Sequence, residues 1–190
     1  MRIFLQGTLN VGKSTVISKT LDILTARRPL KIGGFITWRG KDPDPNVYIR
    51  PAMPGRECEK YHLATHHPDS RVTDCDTSIF DQLGVRLLTE TPDADLVVMD
   101  ELGYLERHAF VFQQVVRDIL AGDVPVIGTL RMKDIPWLEP IKADPRISLF
   151  DVTLENRDKL PQEIAALLQA TSENPEIKAC DRDKSGVYTR

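Results

Sequence analysis

The sequence predicts an α/β fold with a mostly parallel central sheet, helices on both faces of the sheet, and a small antiparallel ribbon or insertion. Three observations predict it. From residue 78 onward, short apolar runs alternate with stretches of helical spacing, in the order strand, helix, strand, helix. Leu96-Val97-Val98-Met99 is apolar without a break, as a strand covered on both faces must be. Near the start, a glycine-bearing loop joins an apolar run directly to a stretch of helical spacing, giving a strand, a turn and a helix.

The elements follow in order. Ile3-Phe4-Leu5 ends at Gly7, and Lys13 to Ala26 carries Val16, Ile17, Leu21, Ile23 and Leu24 at helical spacing. Lys31 to Trp38 reads as a strand after two adjacent glycines, and Val47-Tyr48-Ile49-Arg50 pairs with it across a turn rich in Pro and Asp. Pro51 to Asp76 has little periodicity and much Pro, Gly, His and charge, so the insertion over about 40–76 is expected to be a long surface excursion. Ser78 to Leu88 places Ile79, Leu83 and Leu87 about one turn apart, and a Thr-Pro-Asp break leads to a strand over Asp95 to Met99. A helix near His108 to Leu120, a strand over Val124 to Leu130 and a broken helical stretch to Ile141 come next. The strand Ile147 to Val152 and a closing helix from about Pro161 to Gln169 complete the pattern. One domain over 1–170 is expected, with a mobile tail over 171–190 that holds few apolar residues. There is no internal repeat.

Composition narrows the function. The 190 residues are 41% hydrophobic and 28% charged, which suits a globular chain rather than a disordered or fibrous one. A formal charge of -3 exerts no global pull on nucleic acid or anionic membrane, and no nucleic-acid site is evident. No apolar run approaches the roughly 20 residues of a membrane helix. The opening Met1 to Gln6 passes straight into a loop and leaves no room for a signal peptide, so a cytoplasmic location is expected. The three cysteines lie far apart without a CxxC pair, which argues for reduced thiols.

The loop Gly7-Thr8-Leu9-Asn10-Val11-Gly12-Lys13-Ser14 matches G-x-x-x-x-G-K-[ST] in full, between a predicted strand and a predicted helix. Such a loop turns successive backbone N–H groups inward, and the helix that follows adds its positive end, so fixed dipoles grip a polyphosphate. Lys13 would reach the β and γ phosphates. Ser14 would set its hydroxyl on Mg²⁺, with Thr15 next to it at the helix start. The strand at Leu96 to Met99 ends in Asp100-Glu101, as expected of a strand that delivers carboxylates beside the phosphates. Asp100 is the second Mg²⁺ anchor. Glu101, directed to the other side, would orient or deprotonate the attacking water. Glu106 is a third carboxylate that reads equally well as a solvated surface group.

Taken together, several stretches resemble the cancer-related nucleoside triphosphatase family of small P-loop enzymes. They are the phosphate loop, Gly33 to Thr37, Asp100 to Glu106, Ile127-Gly128-Thr129-Leu130, and Asp151 to Asp158. The resemblance covers most of Met1 to Leu168. It implies a RecA-like P-loop domain that slowly hydrolyses several nucleoside triphosphates, ATP and GTP among them, to diphosphate and phosphate, with Mg²⁺ and loose base choice. It also implies that Asn156 and Arg157 lie near the base, where an arginine plane can stack. Two departures stand out: Leu9-Asn10 replaces the Pro-Gly common in relatives, and Gly40 to Asp76 does not match their glycine-rich basic stretch.

Other readings compete. A translation-type GTPase would need Asn-Lys-x-Asp to read guanine, and Asn156-Arg157-Asp158 has the wrong spacing and no lysine. A nucleotide or small-molecule kinase shares the phosphate loop and would use lid arginines such as Arg50, Arg56, Arg71 or Arg131. Arg131 could instead stabilise the transition state in cis, or that arginine could come from a neighbouring subunit or protein partner. A third reading is a nucleotide-dependent docking surface, in which Cys58, His62, His66, His67 and Cys75 form a loosely spaced Zn²⁺ site.

Overall fold

The computed structural model describes residues 1–41, 43–67 and 72–172. In chain order the elements are β1 (Arg2–Gln6), α1 (Lys13–Thr25), β2 (Ile32–Arg39), β3 (Asn46–Pro51), β4 (Tyr61–His67), β5 (Val72–Cys75), a π turn (Phe80–Gly84), α2 (Val85–Thr89), β6 (Leu96–Leu102), α3 (Phe110–Ala121), β7 (Val126–Leu130), α4 (Glu139–Lys142), β8 (Ile147–Asp151) and α5 (Leu160–Ser172). The eight strands form one sheet in the order β5-β4-β3-β2-β6-β7-β1-β8. From β2 to β8 every neighbour is parallel, whereas β2-β3, β3-β4 and β4-β5 are antiparallel.

Strand alternation assigns the two cores. Ile3, Leu5, Leu96 and Val98 face a core built with Val16, Ile17 and Leu21 of α1 and Ile164 and Leu168 of α5. Phe4, Val97 and Met99 face the opposite core, with Leu87 and Leu88 of α2 and Phe112, Val116 and Leu120 of α3. Two-sided burial is the reason these strands read as unbroken apolar runs. Phe112 packs against Phe35 and Phe80 at centroid distances of 5.8 and 5.2 Å, tying α3 to β2 and to the π turn.

The elements match the sequence expectations with three differences. Strand β3 pairs antiparallel with β2 as expected, but within 51–76 strands β4 and β5 carry the central sheet further in place of a surface excursion. Along β4 the core contacts come from Tyr61 and Leu63, with His62 between them, and the register against β3 shifts between Val47 and Tyr48, so no regular apolar alternation survives. The helix read over Ser78 to Leu88 contains the π turn before α2, and Gly84 within it lets Phe112 pack close. Strand β6 continues beyond Met99 through Asp100 and Glu101 to Leu102, with an irregular register against β7 between Met99 and Leu102. The tail from residue 173 on, which includes Cys180, lies outside the described residues, as does Arg71.

Because β2, β6, β7, β1 and β8 are parallel, their carboxyl ends share one edge of the sheet. Strand β7 lies between β1, which leads into the glycine loop, and β6, which carries Asp100.

Candidate active site

At that edge the chain leaves β1 through a loop that only certain backbone conformations allow. Gly7 and Gly12 have φ of 150° and 112°, and Asn10 adopts φ 60°, a left-handed conformation that Asn tolerates better than most residues. A Cβ on Gly7 would stand 2.7 Å from the Val152 carbonyl oxygen, so a side chain there would collide with the chain leaving β8. Val11 anchors the loop, 6% exposed in the α1 core, while Thr8, Leu9 and Asn10 are exposed. Helix α1 begins at Lys13 with no side-chain cap and no acidic residue in its first turn. Its free N–H groups and positive end therefore point into the loop. The Lys13 ammonium donates to the carbonyls of Gly7 and Thr8 at 3.1 and 3.0 Å, folded back across the loop.

Strand β6 brings the carboxylates. Asp100 lies on the α1 side, 2% exposed, and accepts hydrogen bonds from the Ser14 hydroxyl and, at 2.9 Å, from the Thr129 hydroxyl. Burial pushes its carboxyl up to about 6, against the pull of Ser14, Thr129 and the Lys13 charge. A buried carboxylate with too little positive charge, beside a serine hydroxyl, is an oxygen donor set suited to a hard divalent cation. The residues present fit Mg²⁺. Thr129 is fully buried in β7; the sequence placed it within the resembling stretch Ile127 to Leu130 without assigning it a role at the site. Its signal was there, a lone polar residue inside the apolar strand Val126 to Leu130.

Glu101 follows across a cis peptide bond with Asp100. Its backbone N–H donates to the Thr37 hydroxyl of β2 at 3.1 Å, and its carboxylate pairs with the Arg131 guanidinium just beyond β7. Thr37 is a second positioning residue that sequence reasoning missed.

Glu106 is not a solvated surface group. It is 2% exposed, accepts the Gly103 N–H, and its own carbonyl accepts from the buried Gln113 amide at 2.9 Å. The turn from Gly103 to His108 folds it back under β6, which a position in an otherwise polar stretch did not reveal. Burial, reinforced by the Glu101 charge, pushes its carboxyl up to about 7 from an ordinary 4.5. A carboxyl raised in the fold gives stability that is complete below about pH 4.5 and lost as pH rises through about 7. Glu106→Gln keeps an oxygen for the Gly103 N–H and removes the buried charge. Its thermal midpoint is therefore expected to exceed that of the parent protein at pH 8, by a stability on the order of 3 kcal/mol at most, and the gap is expected to close toward pH 5. Thermal melts of both proteins at several pH values check this.

The loop after β8 closes the other side. The Asn156 side chain accepts the Thr153 N–H at 2.8 Å and donates to the Asp151 carbonyl at 2.8 Å, so its amide builds the turn. Arg157 lies beside Gly12 and its guanidinium donates to the Val11 carbonyl at 3.4 Å. Gly12, Thr15, Val16, Lys19, Arg157 and Asp158 line a recess of about 270 Å³ next to the glycine loop, rimmed by the Lys19–Asp158 ion pair at 3.2 Å. Thus Lys13, Ser14, Asp100 and Glu101 come together at the edge, and Thr15 and Arg157 meet at the adjoining recess.

Among the described residues no group of three or more His, Cys, Asp or Glu is placed to hold a metal ion. His62 shares its Nε2 with Asn46 and Thr65, Cys58 is exposed, and burial pushes the Cys75 thiol up to about 11. Among the described residues no helix is long and apolar enough to cross a membrane.

Known proteins resemble this chain in sequence and fold. The family described as NTPase matches residues 2–165 of the chain. Nucleoside-triphosphatase THEP1 of Methanocaldococcus jannaschii is 30% identical over 169 residues, which cover 86% of this chain and 95% of that protein. Among solved structures, THEP1 of Aquifex aeolicus superposes with a TM-score of 0.74 at 24% identity, covering 89% of this chain and 99% of that one. The human cancer-related nucleoside triphosphatase gives a TM-score of 0.70 at 24% identity, over 89% and 97% of the two chains. At these identities the two structures speak for the fold.

Proposed function

Because the chain belongs to the NTPase family, we propose that it is a nucleoside triphosphatase that hydrolyses ATP, GTP and other nucleoside triphosphates to diphosphate and phosphate with Mg²⁺. The observation that carries the reading is the meeting of Ser14 and the buried Asp100 beside the glycine loop, with Glu101 one residue further along the strand. The proposed unit is the domain over 1–170, acting in the cytoplasm.

The residues divide the work. Backbone N–H groups of Gly7 to Ser14 and the start of α1 hold the phosphate chain, with Thr8, Leu9, Asn10 and Val11 setting the loop's path. Lys13 leaves the Gly7 and Thr8 carbonyls for the β and γ phosphate oxygens. Ser14 and Asp100 would hold Mg²⁺, and the ion would supply positive charge to offset that of the phosphates. Thr129 keeps Asp100 turned toward the site. Glu101 accepts the proton of a water aligned with the γ phosphorus, and the bond from that phosphorus to the bridging oxygen breaks. Asn156 shapes the turn that carries Arg157, and Arg157 with Thr15 faces the base in the recess.

The Arg157 guanidinium offers the recess a plane on which any base can stack, which supports broad base choice. Arg157→Ala is expected to raise KM roughly three- to thirtyfold for all four nucleotides alike and leave kcat nearly unchanged, as loss of a stacking contact would. Steady-state kinetics with each nucleotide checks it.

Phosphate release from ATP, GTP, CTP and UTP with Mg²⁺ and no acceptor tests the proposal. Release from several nucleotides is expected. Phosphoryl transfer only when a nucleoside or small-molecule acceptor is added would instead make the protein a kinase.

A further inference from the structure

Arg131 leaves β7 at the same edge of the sheet. Its backbone N–H is fixed to the Leu102 carbonyl at 3.1 Å, the last rung between β7 and β6. Its side chain lies across Gly103, where a Cβ would come within 2.7 Å of Arg131 Cγ, so only glycine leaves a bed for the arginine stem. That bed is clamped from both ends: Glu106 accepts the Gly103 N–H, and the Trp137 indole N–H donates to the Gly103 carbonyl at 2.9 Å. The stem is thus held while the Arg131 side chain as a whole remains 40% exposed, paired with a Glu101 side chain that is 27% exposed.

This pairing opposes the chemistry assigned to Glu101. A carboxylate bound to a guanidinium has lone pairs engaged with N–H donors and is a poor proton acceptor for water. The pair must open before Glu101 can act. An ion pair open to water is weak, and the terminal phosphoryl group of a bound triphosphate carries more charge and more acceptor oxygens than one carboxylate. Lys13 lies at the same edge, and a triphosphate carries more charge than its ammonium alone can match.

We propose that Arg131 is a γ-phosphate-responsive residue with two positions: without triphosphate it holds Glu101, and with triphosphate in the loop it turns to the terminal phosphoryl group and releases Glu101 to its water. The inference rests on the hydrolytic reading above. It makes opening of the water-activating group contingent on the substrate's third phosphate, so that diphosphate leaves the site locked.

The test measures affinity rather than turnover. Calorimetric titrations with Mg²⁺-ADP and with the Mg²⁺ complex of β,γ-imido ATP are made on the parent protein, Arg131→Ala, Arg131→Lys, Glu101→Gln and the double variant Arg131→Ala/Glu101→Gln. Arg131→Ala is expected to weaken the triphosphate analogue about tenfold and to leave ADP nearly unchanged, with Arg131→Lys in between. Glu101→Gln frees the arginine and is expected to strengthen the analogue severalfold, a gain that disappears in the double variant. Equal losses for both nucleotides in Arg131→Ala, or a Glu101→Gln gain that persists without Arg131, overturns the proposal. If the parent protein releases no phosphate but shows this affinity pattern, the hydrolytic reading falls and the sensing residue stands. If it hydrolyses triphosphates without the pattern, only the sensing residue falls.

Discussion

Lys13→Ala is expected to lower kcat for triphosphate hydrolysis about 10²- to 10³-fold, equivalent to about 2.7–4 kcal/mol of transition-state stabilisation. The ammonium lies across the glycine loop, held over it by the Gly7 and Thr8 carbonyls. As the bond to the bridging oxygen breaks, negative charge moves toward the β-phosphate oxygens that Lys13 would contact. Its loss therefore weakens the transition state more than the ground state, and a moderate rise in KM accompanies the fall in kcat. The substitution leaves the fold intact, because the lysine bonds only to loop carbonyls that water can satisfy. Phosphate release at saturating nucleotide measures the effect, and an unchanged thermal midpoint separates it from unfolding.

Glu101→Gln is expected to be as severe in turnover and opposite in binding. Removing a positioned general base costs about 10²- to 10⁴-fold in rate. The amide is nearly the same size and can still bond to a neighbour, so nucleotide remains bound while hydrolysis stops. Rapid-quench kinetics alongside equilibrium binding separates the two quantities. A variant that loses nucleotide affinity in step with rate would instead mark Glu101 as a residue that shapes the phosphate loop.

Much of this was legible in the sequence because it depends on local chemistry. The loop Gly7 to Ser14 requires glycine where φ is positive and a helix start where the anion sits, and both requirements appear in adjacent residues. Leu96 to Met99 is unbroken in its hydrophobicity because both faces are covered, and the change to Asp100-Glu101 marks where the strand meets the sheet edge. The family resemblance read from these motifs is matched by the family comparison over 2–165. Contacts between distant segments were hidden. Thr129 supports Asp100 from a strand 29 residues further on, and Thr37 supports the Glu101 backbone from 64 residues earlier, so neither pairing leaves a local pattern. The extension through β4 and β5 was hidden for another reason. One face of the strand packs Tyr61 and Leu63 while His62 and Thr65 bond to each other on the other, which reads as an irregular polar stretch. For Glu106 the sequence left a third carboxylate of the site and a solvated group equally open, because a glutamate in a charged turn is usually solvated and only the fold of the turn buries it.

The central claim is that water, directed by Glu101, attacks the γ phosphorus of a triphosphate held by the loop. A single turnover of Mg²⁺-ATP in ¹⁸O-labelled water, with products resolved by mass spectrometry, tests it most directly. The account predicts one solvent oxygen in the released phosphate and none in the ADP. Label in the ADP would place the attack on the β phosphorus, and unlabelled phosphate would show that water is not the nucleophile; either result would contradict the account.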